Sequence, residues 1–161
     1  MASFDGKFVS SRQDWSTPQS LFDALDGEFG FTVDLAAHDL NHKCAIYLGQ
    51  SQDAMKQEWL GTGWLNPPYG DSGYRMEKWV RKAQAESAQH GSTIVMLIPA
   101  RTNTKWWHEC CMSAAEIRFV CGRPKFGDAE HGLPQPLALV IFAPHEGDTK
   151  MLSFHLPAAA H

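Results

Sequence analysis

The sequence lacks an excess of positive charge and lacks long apolar runs. Its 161 residues contain 14 lysines and arginines against 18 acidic residues, giving a formal net charge of −4. Proteins that coat nucleic acid by overall attraction are basic, so any nucleic-acid contact here has to be local. The apolar run at 94–98 is far shorter than the roughly 20 residues that span a bilayer. Residues 1–5 carry neither part of a secretory signal, so we expect a cytoplasmic protein.

Paired cysteine motifs are also missing. The four cysteines, Cys44, Cys110, Cys111 and Cys121, show no C-x-x-C spacing, and we expect them to be reduced and mostly buried. A metal site around His108, Glu109 and the adjacent cysteines, with Cys121 or His42 as remote ligands, is the weaker alternative. Ligand pairs on a helix usually stand three or four residues apart, which adjacent cysteines do not. We therefore expect no metal.

The first regular element is predicted from an apolar stripe. Leu21, Phe22, Leu25 and Phe29 recur at helical spacing, and Gly30 is placed to end the helix. Thr17 is expected to be the N-cap and Pro18 the first helical residue. A second helix is predicted over 74–90, and a third is expected to be capped by Thr102 or Asn103.

Strands alternate with these helices. Strands are predicted at 31–36, 45–48, 63–65, 93–98, 116–120 and 137–142. The run at 93–98 is apolar throughout, as in a strand buried on both faces. This order predicts an α/β sheet with helices on both faces in a single domain. We expect a flexible segment at 1–13, the domain at 14–145 and a C-terminal extension at 146–161.

The stretch Asn66-Pro67-Pro68-Tyr69 follows one of these strands. Prolines end strands, so a stiff turn is the structural interpretation. The chemical interpretation is that Asn66 and the Pro67 carbonyl accept hydrogen bonds from the amine of a nucleobase, while Tyr69 stacks on its ring. Ligands of such sheets bind beyond the carboxyl ends of strands, where Asp34 is also expected. That placement favours the chemical interpretation.

These residues support a resemblance to a known family. Asn66 to Tyr69 is similar to the catalytic motif of S-adenosylmethionine-dependent methyltransferases that modify adenine N6 or cytosine N4. Over residues 14 to 142 the chain resembles the phage-type (Dam family) DNA N6-adenine methyltransferases. The matching segments, each weak alone, are Trp15-Ser16-Thr17-Pro18 with Leu21-Phe22, Phe29-Gly30-Phe31 with Asp34-Leu35-Ala36-Ala37, Trp64-Leu65-Asn66-Pro67-Pro68-Tyr69, Leu97-Ile98-Pro99-Ala100-Arg101-Thr102, and Ile117-Arg118-Phe119 with Gly122-Arg123-Pro124-Lys125-Phe126-Gly127.

The resemblance implies a small Rossmann-like class I methyltransferase sheet and direct methyl transfer to a flipped adenine in DNA. It implies S-adenosyl-L-methionine as cofactor, S-adenosyl-L-homocysteine as product, and the cytosol of a bacterium or phage-infected host as location. The catalytic residues it implies are Asn66, Pro67 and Tyr69. The cofactor-binding residues, with Asp53 less firmly placed, are Thr17, Pro18, Asp34, Ala36, Asp53 and Asn66. The substrate-binding residues are Pro68, Tyr69, Arg101, Lys125 and Phe126, where Phe126 holds the base opposite Tyr69.

Two features keep alternatives open. The loop at 36–41 has no glycine where many methyltransferases bring a glycine-rich loop to the cofactor, which favours a non-catalytic nucleic-acid-binding module. The same tetrapeptide type also occurs in cytosine N4 and protein glutamine methyltransferases. If DNA is the substrate, a local basic surface is expected from Arg101, Lys105, Arg118, Arg123 and Lys125. The DNA sequence would then be recognised by loops at 70–75 and 128–135, by a second subunit, or hardly at all.

Overall fold

Six strands form one mixed sheet in the computed structural model, which describes residues 16–68, 74–126 and 135–158. Five strands run parallel to one another, and β5 lies antiparallel between β3 and β4. The order across the sheet is β1-β2-β3-β5-β4-β6. The strands are β1 (Val33–Asp34), β2 (Thr62–Leu65), β3 (Thr93–Pro99), β4 (Glu116–Cys121), β5 (Leu137–Phe142) and β6 (Lys150–His155).

Helices cover both faces of this sheet, as predicted. Alternation along β3 places Ile94, Met96 and Ile98 in one apolar cluster and Val95 and Leu97 in another. The first cluster is completed by helix α2 (Met76–His90) and the short helix α3 (Lys105–Glu109), the second by helix α1 (Gln19–Phe29). Since β3 is buried from Ile94 to its end, it is the centre of a three-layer α/β domain.

Helix α1 begins differently from the prediction. Pro18 is the N-cap, with φ −52° and ψ 132°, and no side chain caps the helix, so the expected N-cap role of Thr17 was wrong. The Pro18 carbonyl accepts hydrogen bonds from the backbone N–H groups of Leu21 and Phe22, each at 3.1 Å. The predicted C-terminus is confirmed: Gly30 has φ 65°, a conformation that glycine adopts at little cost.

Two predicted strands are shorter than expected, and one cap is displaced. Only Val33–Asp34 of the stretch 31–36 forms a strand, and 45–48 contributes a single bridge from Tyr47 to Asp34. No further strand forms in the described segment 35–61, which agrees with the small sheet that the resemblance implies. Thr104, rather than Thr102 or Asn103, caps α3 and accepts a hydrogen bond from Trp107 N–H at 3.3 Å. Thr102 and Asn103 lie in the turn between β3 and α3.

The C-terminal segment contributes a strand that the sequence did not predict. Strand β6 pairs in parallel with all six residues of β4, so the boundary expected at 145 does not separate residues 150–155 from the sheet. Most of its side chains are exposed, and Met151 and Leu152 are each half-exposed, which explains why no apolar alternation marks it. The expected flexible segment 1–13 lies outside the described residues.

Within the three described ranges, no helix combines the length and the apolar character that crossing a membrane requires.

Candidate active site

The carboxyl ends of β1 and β2 lie side by side. Asp34, the last residue of β1, is opposite Trp64 in β2, and Asn66 follows that strand directly. Arg101 follows β3 and Lys125 follows β4, both parallel to the first two strands. These four residues therefore lie at or after the carboxyl ends of four parallel strands, the edge where α/β sheets bind ligands.

Thr17 and Asn66 are joined by a direct hydrogen bond. The Asn66 amide nitrogen, Nδ2, donates to the Thr17 hydroxyl oxygen at 3.0 Å. Thr17 is buried, with 3% of its surface exposed, and Asn66 is half-buried. The hydroxyl that was expected to cap α1 therefore contacts the motif residue instead.

Packing between α1 and β2 holds these two residues in place. The Phe22 ring meets the Trp64 ring edge-on, with centroids 5.9 Å apart, and Phe31 lies 5.6 Å from the same indole. Leu21 and Leu25 complete the buried face of the helix. Because Trp64 is two residues before Asn66, the start of α1 and the end of β2 are fixed relative to each other by the core.

Asp34 is a buried carboxylate held by backbone groups. It accepts hydrogen bonds from the backbone N–H of Lys43 at 2.9 Å and of Ala36 at 3.3 Å. Burial raises the pKa of Asp34, an effect that these hydrogen bonds and the charge of Lys43 only partly offset. One of these amides, that of Ala36, belongs to the glycine-free loop at 36–41, and that of Lys43 follows it, whereas a glycine-rich loop presents amides to a ligand.

Asp53 is tied to Tyr74, a residue that sequence reasoning missed. The Tyr74 hydroxyl lies 2.9 Å and 3.1 Å from the two carboxylate oxygens, and this hydrogen bond raises the pKa of Tyr74. Asp53 has φ 47° and also accepts from Met55 N–H at 3.3 Å. Its predicted cofactor role stays a prediction. Tyr74 precedes α2 with no motif of its own, so only the fold reveals the pair.

The sequence of this chain is similar to that of known proteins. A family model described as DNA N-6-adenine-methyltransferase (Dam) matches residues 7–154, which is most of the chain. The chain belongs to this family. The resemblance inferred from the sequence is confirmed.

Two phage proteins of the Dam family illustrate the similarity. A DNA N-6-adenine-methyltransferase of Escherichia phage T1 is 36% identical over 110 residues, covering 66% of this chain and 44% of that protein. A DNA N-6-adenine-methyltransferase of Haemophilus phage HP1 (strain HP1c1) is 30% identical over 144 residues, covering 84% of this chain and 81% of that protein. The chain thus spans less than half of the T1 relative and most of the HP1 relative.

The motif turn that suggested the Dam family is described in part. Pro67 is buried, and Pro68, like Asn66, is half-buried. Tyr69 lies outside the described residues, as do 70–73 and 127–134, which include most of the two expected recognition loops. The stacking role of Tyr69 stays a prediction.

The remaining residues expected to bind substrate differ in exposure. Arg101 and Lys125 are exposed, as a DNA contact requires. Phe126 is buried, with 3% of its surface exposed, in the apolar cluster that contains Trp64 and Leu97. Its base-holding role stays a prediction, and an adenine can reach the ring only if part of that covering moves.

Arg118 does not contribute to the basic surface that was expected from the sequence. Arg118 is directed to the Glu28 and Glu116 carboxylates, at 2.5 Å and 3.1 Å, with 12% of its side chain exposed. The expectation that it lies on a free basic surface was wrong, because both carboxylates neutralise it. Lys105 is exposed but lies 3.5 Å from Glu109.

The side chains expected in the alternative metal site, around Cys110 and Cys111, are buried or paired with another residue. Cys110 and Cys111 are buried, and burial raises the pKa of Cys111 to about 12. Glu109 is paired with Arg81 at 2.5 Å. Among the residues that the structure describes, no three His, Cys, Asp or Glu side chains converge as a metal site would require.

A surface cavity of about 470 Å³ lies away from the motif turn, at the amino ends of the parallel strands. Its walls include Phe29, Thr93, Glu116 and Lys150. It therefore belongs to the edge opposite the candidate active site.

Proposed function

We propose that this chain transfers a methyl group from S-adenosylmethionine to N6 of adenine in DNA, with Asn66 at the reacting amine. The observation that carries the proposal is the position of Asn66. It follows β2 at the carboxyl edge, beside the buried Asp34, and its amide is held by Thr17. Membership of the Dam family supports the choice of adenine in DNA over cytosine or protein.

The residues at this edge suit the cofactor. S-adenosylmethionine supplies a methyl group on a positively charged sulfur. Among the described residues no cationic side chain lies within 4.0 Å of the Asp34 carboxylate, and a carboxylate has more lone pairs than its two backbone partners use. We assign Thr17, Pro18, Asp34 and Ala36 to cofactor binding, with Asp53 as a further contact held by Tyr74.

The acceptors at the motif turn suit the chemistry of the target. The lone pair of the adenine amine is delocalised into the ring, which makes the amine a poor nucleophile. Two hydrogen-bond acceptors, the Asn66 side-chain oxygen and the Pro67 carbonyl, favour the pyramidal amine, whose lone pair then points at the methyl group. Direct in-line transfer needs no covalent bond between enzyme and substrate.

Access to the amine requires the base to leave the duplex. A flipped adenine would stack on Tyr69 and be supported by Pro68, with Phe126 on the opposite side. The exposed Arg101 and Lys125 lie on the same edge and would contact phosphates, which provides locally the positive charge that the chain as a whole lacks. DNA is therefore the proposed partner.

The test uses tritiated-methyl cofactor and unmethylated DNA, followed by identification of the labelled base. Label in N6-methyladenine is expected. Asn66→Ala should lower the rate by about 10²-fold or more, as loss of a transition-state hydrogen bond does, with cofactor affinity changed only a few-fold. Asn103→Ala, an exposed asparagine after β3, is the matched control and should keep the parental rate.

Three results would contradict the proposal in different ways. Label in N4-methylcytosine would change the substrate. No cofactor binding by calorimetry would favour the non-catalytic module suggested by the glycine-free loop. A parental rate in Asn66→Ala would remove the amide from the reaction.

A further inference from the structure

The side-chain carboxamide of Asn66 can be placed in two orientations, and only one of them fits its proposed role. Its oxygen accepts hydrogen bonds and its NH₂ donates them, yet the two ends have nearly the same shape. The torsion that exchanges them is broad and roughly two-fold. If the NH₂ end faced the adenine amine, two donors would meet and the amine would not be activated.

A contact from outside the motif selects one orientation. Asn66 Nδ2 donates to the Thr17 hydroxyl oxygen at 3.0 Å, across 49 residues of sequence. With the nitrogen directed at Thr17, the amide oxygen is on the other side. In this arrangement a lone pair of the Thr17 oxygen faces Asn66, so the hydroxyl hydrogen points away from the amide.

Thr17 is itself well fixed. It is 3% exposed and directly precedes Pro18, whose ring restricts the backbone and whose carbonyl begins α1. The helix is packed onto β2 through the Phe22 and Trp64 rings. Thr17 and Asn66 therefore flank two elements, α1 and β2, that share one core cluster.

We propose that Thr17 is a positioning residue that directs the Asn66 amide oxygen toward the target amine. The inference rests on the proposed role of Asn66 and adds to it a separate function for the Thr17 hydroxyl. The expected cofactor contact of Thr17 is compatible with it, since a hydroxyl that accepts from Asn66 still has its hydrogen to donate. The two roles predict different kinetic effects.

The experiment compares Thr17→Val, which keeps the shape and removes the hydroxyl, with Thr17→Ser, which keeps the hydroxyl. At saturating cofactor and DNA, Thr17→Val should lower the single-turnover rate about 10-fold, as expected for loss of one hydrogen bond that orients a reacting group. Thr17→Ser should stay within about three-fold of the parent. Because Thr17 is also assigned to cofactor binding, the dissociation constant for the cofactor, from calorimetry, should rise in Thr17→Val and stay near the parental value in Thr17→Ser. Saturating cofactor keeps that change out of the measured rate.

A second arm uses the symmetry of a carboxylate. In Asn66→Asp both side-chain ends are oxygen, so no orientation has to be selected. Adding Thr17→Val to that variant should cost less than the same change costs the parent. In the protein without ligands, the Asn66 NH₂ signals in NMR, assigned by their loss in Asn66→Asp, should exchange with solvent faster in Thr17→Val than in the parent.

The outcomes separate this inference from the proposed function. A parental rate in Thr17→Val, while Asn66→Ala is inactive, overturns the positioning role alone. Weaker cofactor binding with an unchanged saturating rate makes Thr17 a cofactor contact only. A loss in Thr17→Ser as large as that in Thr17→Val shows that keeping the hydroxyl does not keep the rate, which also overturns the positioning role. A parental rate in Asn66→Ala instead removes the proposed function. The comparison of the valine and serine variants is decisive even if Asn66→Asp is too slow to measure.

Discussion

Acidic side chains lie at both edges of the parallel strands, but their partners differ. At the amino edge, Glu86 meets Lys82 at 2.6 Å, and Arg118 joins Glu28 and Glu116. At the carboxyl edge, Asp34 accepts from backbone N–H groups and Asp53 from the Tyr74 hydroxyl. The nearest described cation to Asp53 is the exposed Lys56, at 3.7 Å. The acidic side chains are therefore paired with cations at the amino edge, whereas at the carboxyl edge their hydrogen-bond donors are mostly neutral groups.

The pKa shifts follow this difference. The hydrogen bond from Arg118 lowers the pKa of Glu28, and for Glu86 the effect of burial is outweighed by hydrogen bonds from Lys82 and Trp59 N–H, so its pKa is also lowered. Burial raises the pKa of Asp34. Ionised acids at the amino edge therefore stabilise the fold, while Asp34 carries an electrostatic cost, as groups kept for binding often do.

Glu86→Ala should give the largest change in stability. Glu86 is buried and accepts a hydrogen bond from Trp59 N–H at 2.9 Å, so alanine leaves that buried donor without its partner. It also removes the carboxylate from the Lys82 ammonium, which keeps its hydrogen bond to the Gln57 carbonyl at 2.6 Å. We expect a loss of about 2–4 kcal/mol in the free energy of unfolding. Urea denaturation measures it.

The control for that variant is Glu86→Gln, which keeps an oxygen for Trp59 N–H and removes only the charge. It should cost about 1 kcal/mol. The methyl-transfer rate per folded molecule should be parental in both variants. A reduced rate would show that the amino edge also shapes the active site, and the contrast between the edges would fail.

Arg118→Met should have a smaller effect. Methionine keeps the apolar part of the side chain over the Phe29 ring, where the guanidinium carbon now lies 5.3 Å from the ring centre, and removes the charge. Glu28 is half-exposed and Glu116 mostly buried, so we expect a loss of about 1 kcal/mol that shrinks in high salt. Denaturation at two salt concentrations measures it, with the exposed Arg123→Met as control. Equal losses in the two variants would contradict the pairing.

Asp34→Asn should remove a pH dependence of stability that the parent shows at acidic pH. The folded-state pKa of Asp34 is raised above 3.8, so the unfolded chain loses its proton first as pH rises. The parent therefore loses stability relative to the variant from about pH 3.8 up to the raised folded value, and the difference is constant above it. Denaturation across this range measures the slope, with the exposed Asp148→Asn as control. A difference that shrinks with rising pH would reverse the sign assigned here.

Local sequence patterns were sufficient to predict many of the helices and strands. The stripe from Leu21 to Phe29 identified α1, and the run from Ile94 to Ile98 identified the central strand, because burial on a helix face or within a sheet imposes its own period on the sequence. The motif at Asn66 was recognisable because its residues are adjacent. Its position after β2 then followed from the order of elements.

Long-range pairings were not predictable. The hydrogen bond between Thr17 and Asn66 joins elements 49 residues apart, and the pairing of Asp53 with Tyr74 leaves no trace in either local sequence. Strand β1 is only two residues long, since hydrogen bonding to β2 rather than propensity sets its length. The place of β5 between β3 and β4 likewise depends on pairing rather than on chain order.

Strand β6 has a practical consequence for shortened forms of this protein. It occupies the outer backbone groups of β4 from Glu116 to Cys121, next to the partly exposed Phe119. A polypeptide cut before residue 150 would turn β4 into an exposed edge strand. Its unpaired amides and carbonyls could then pair with a neighbouring molecule, which favours aggregation. Purification tags and fusion partners are thus better joined beyond His155.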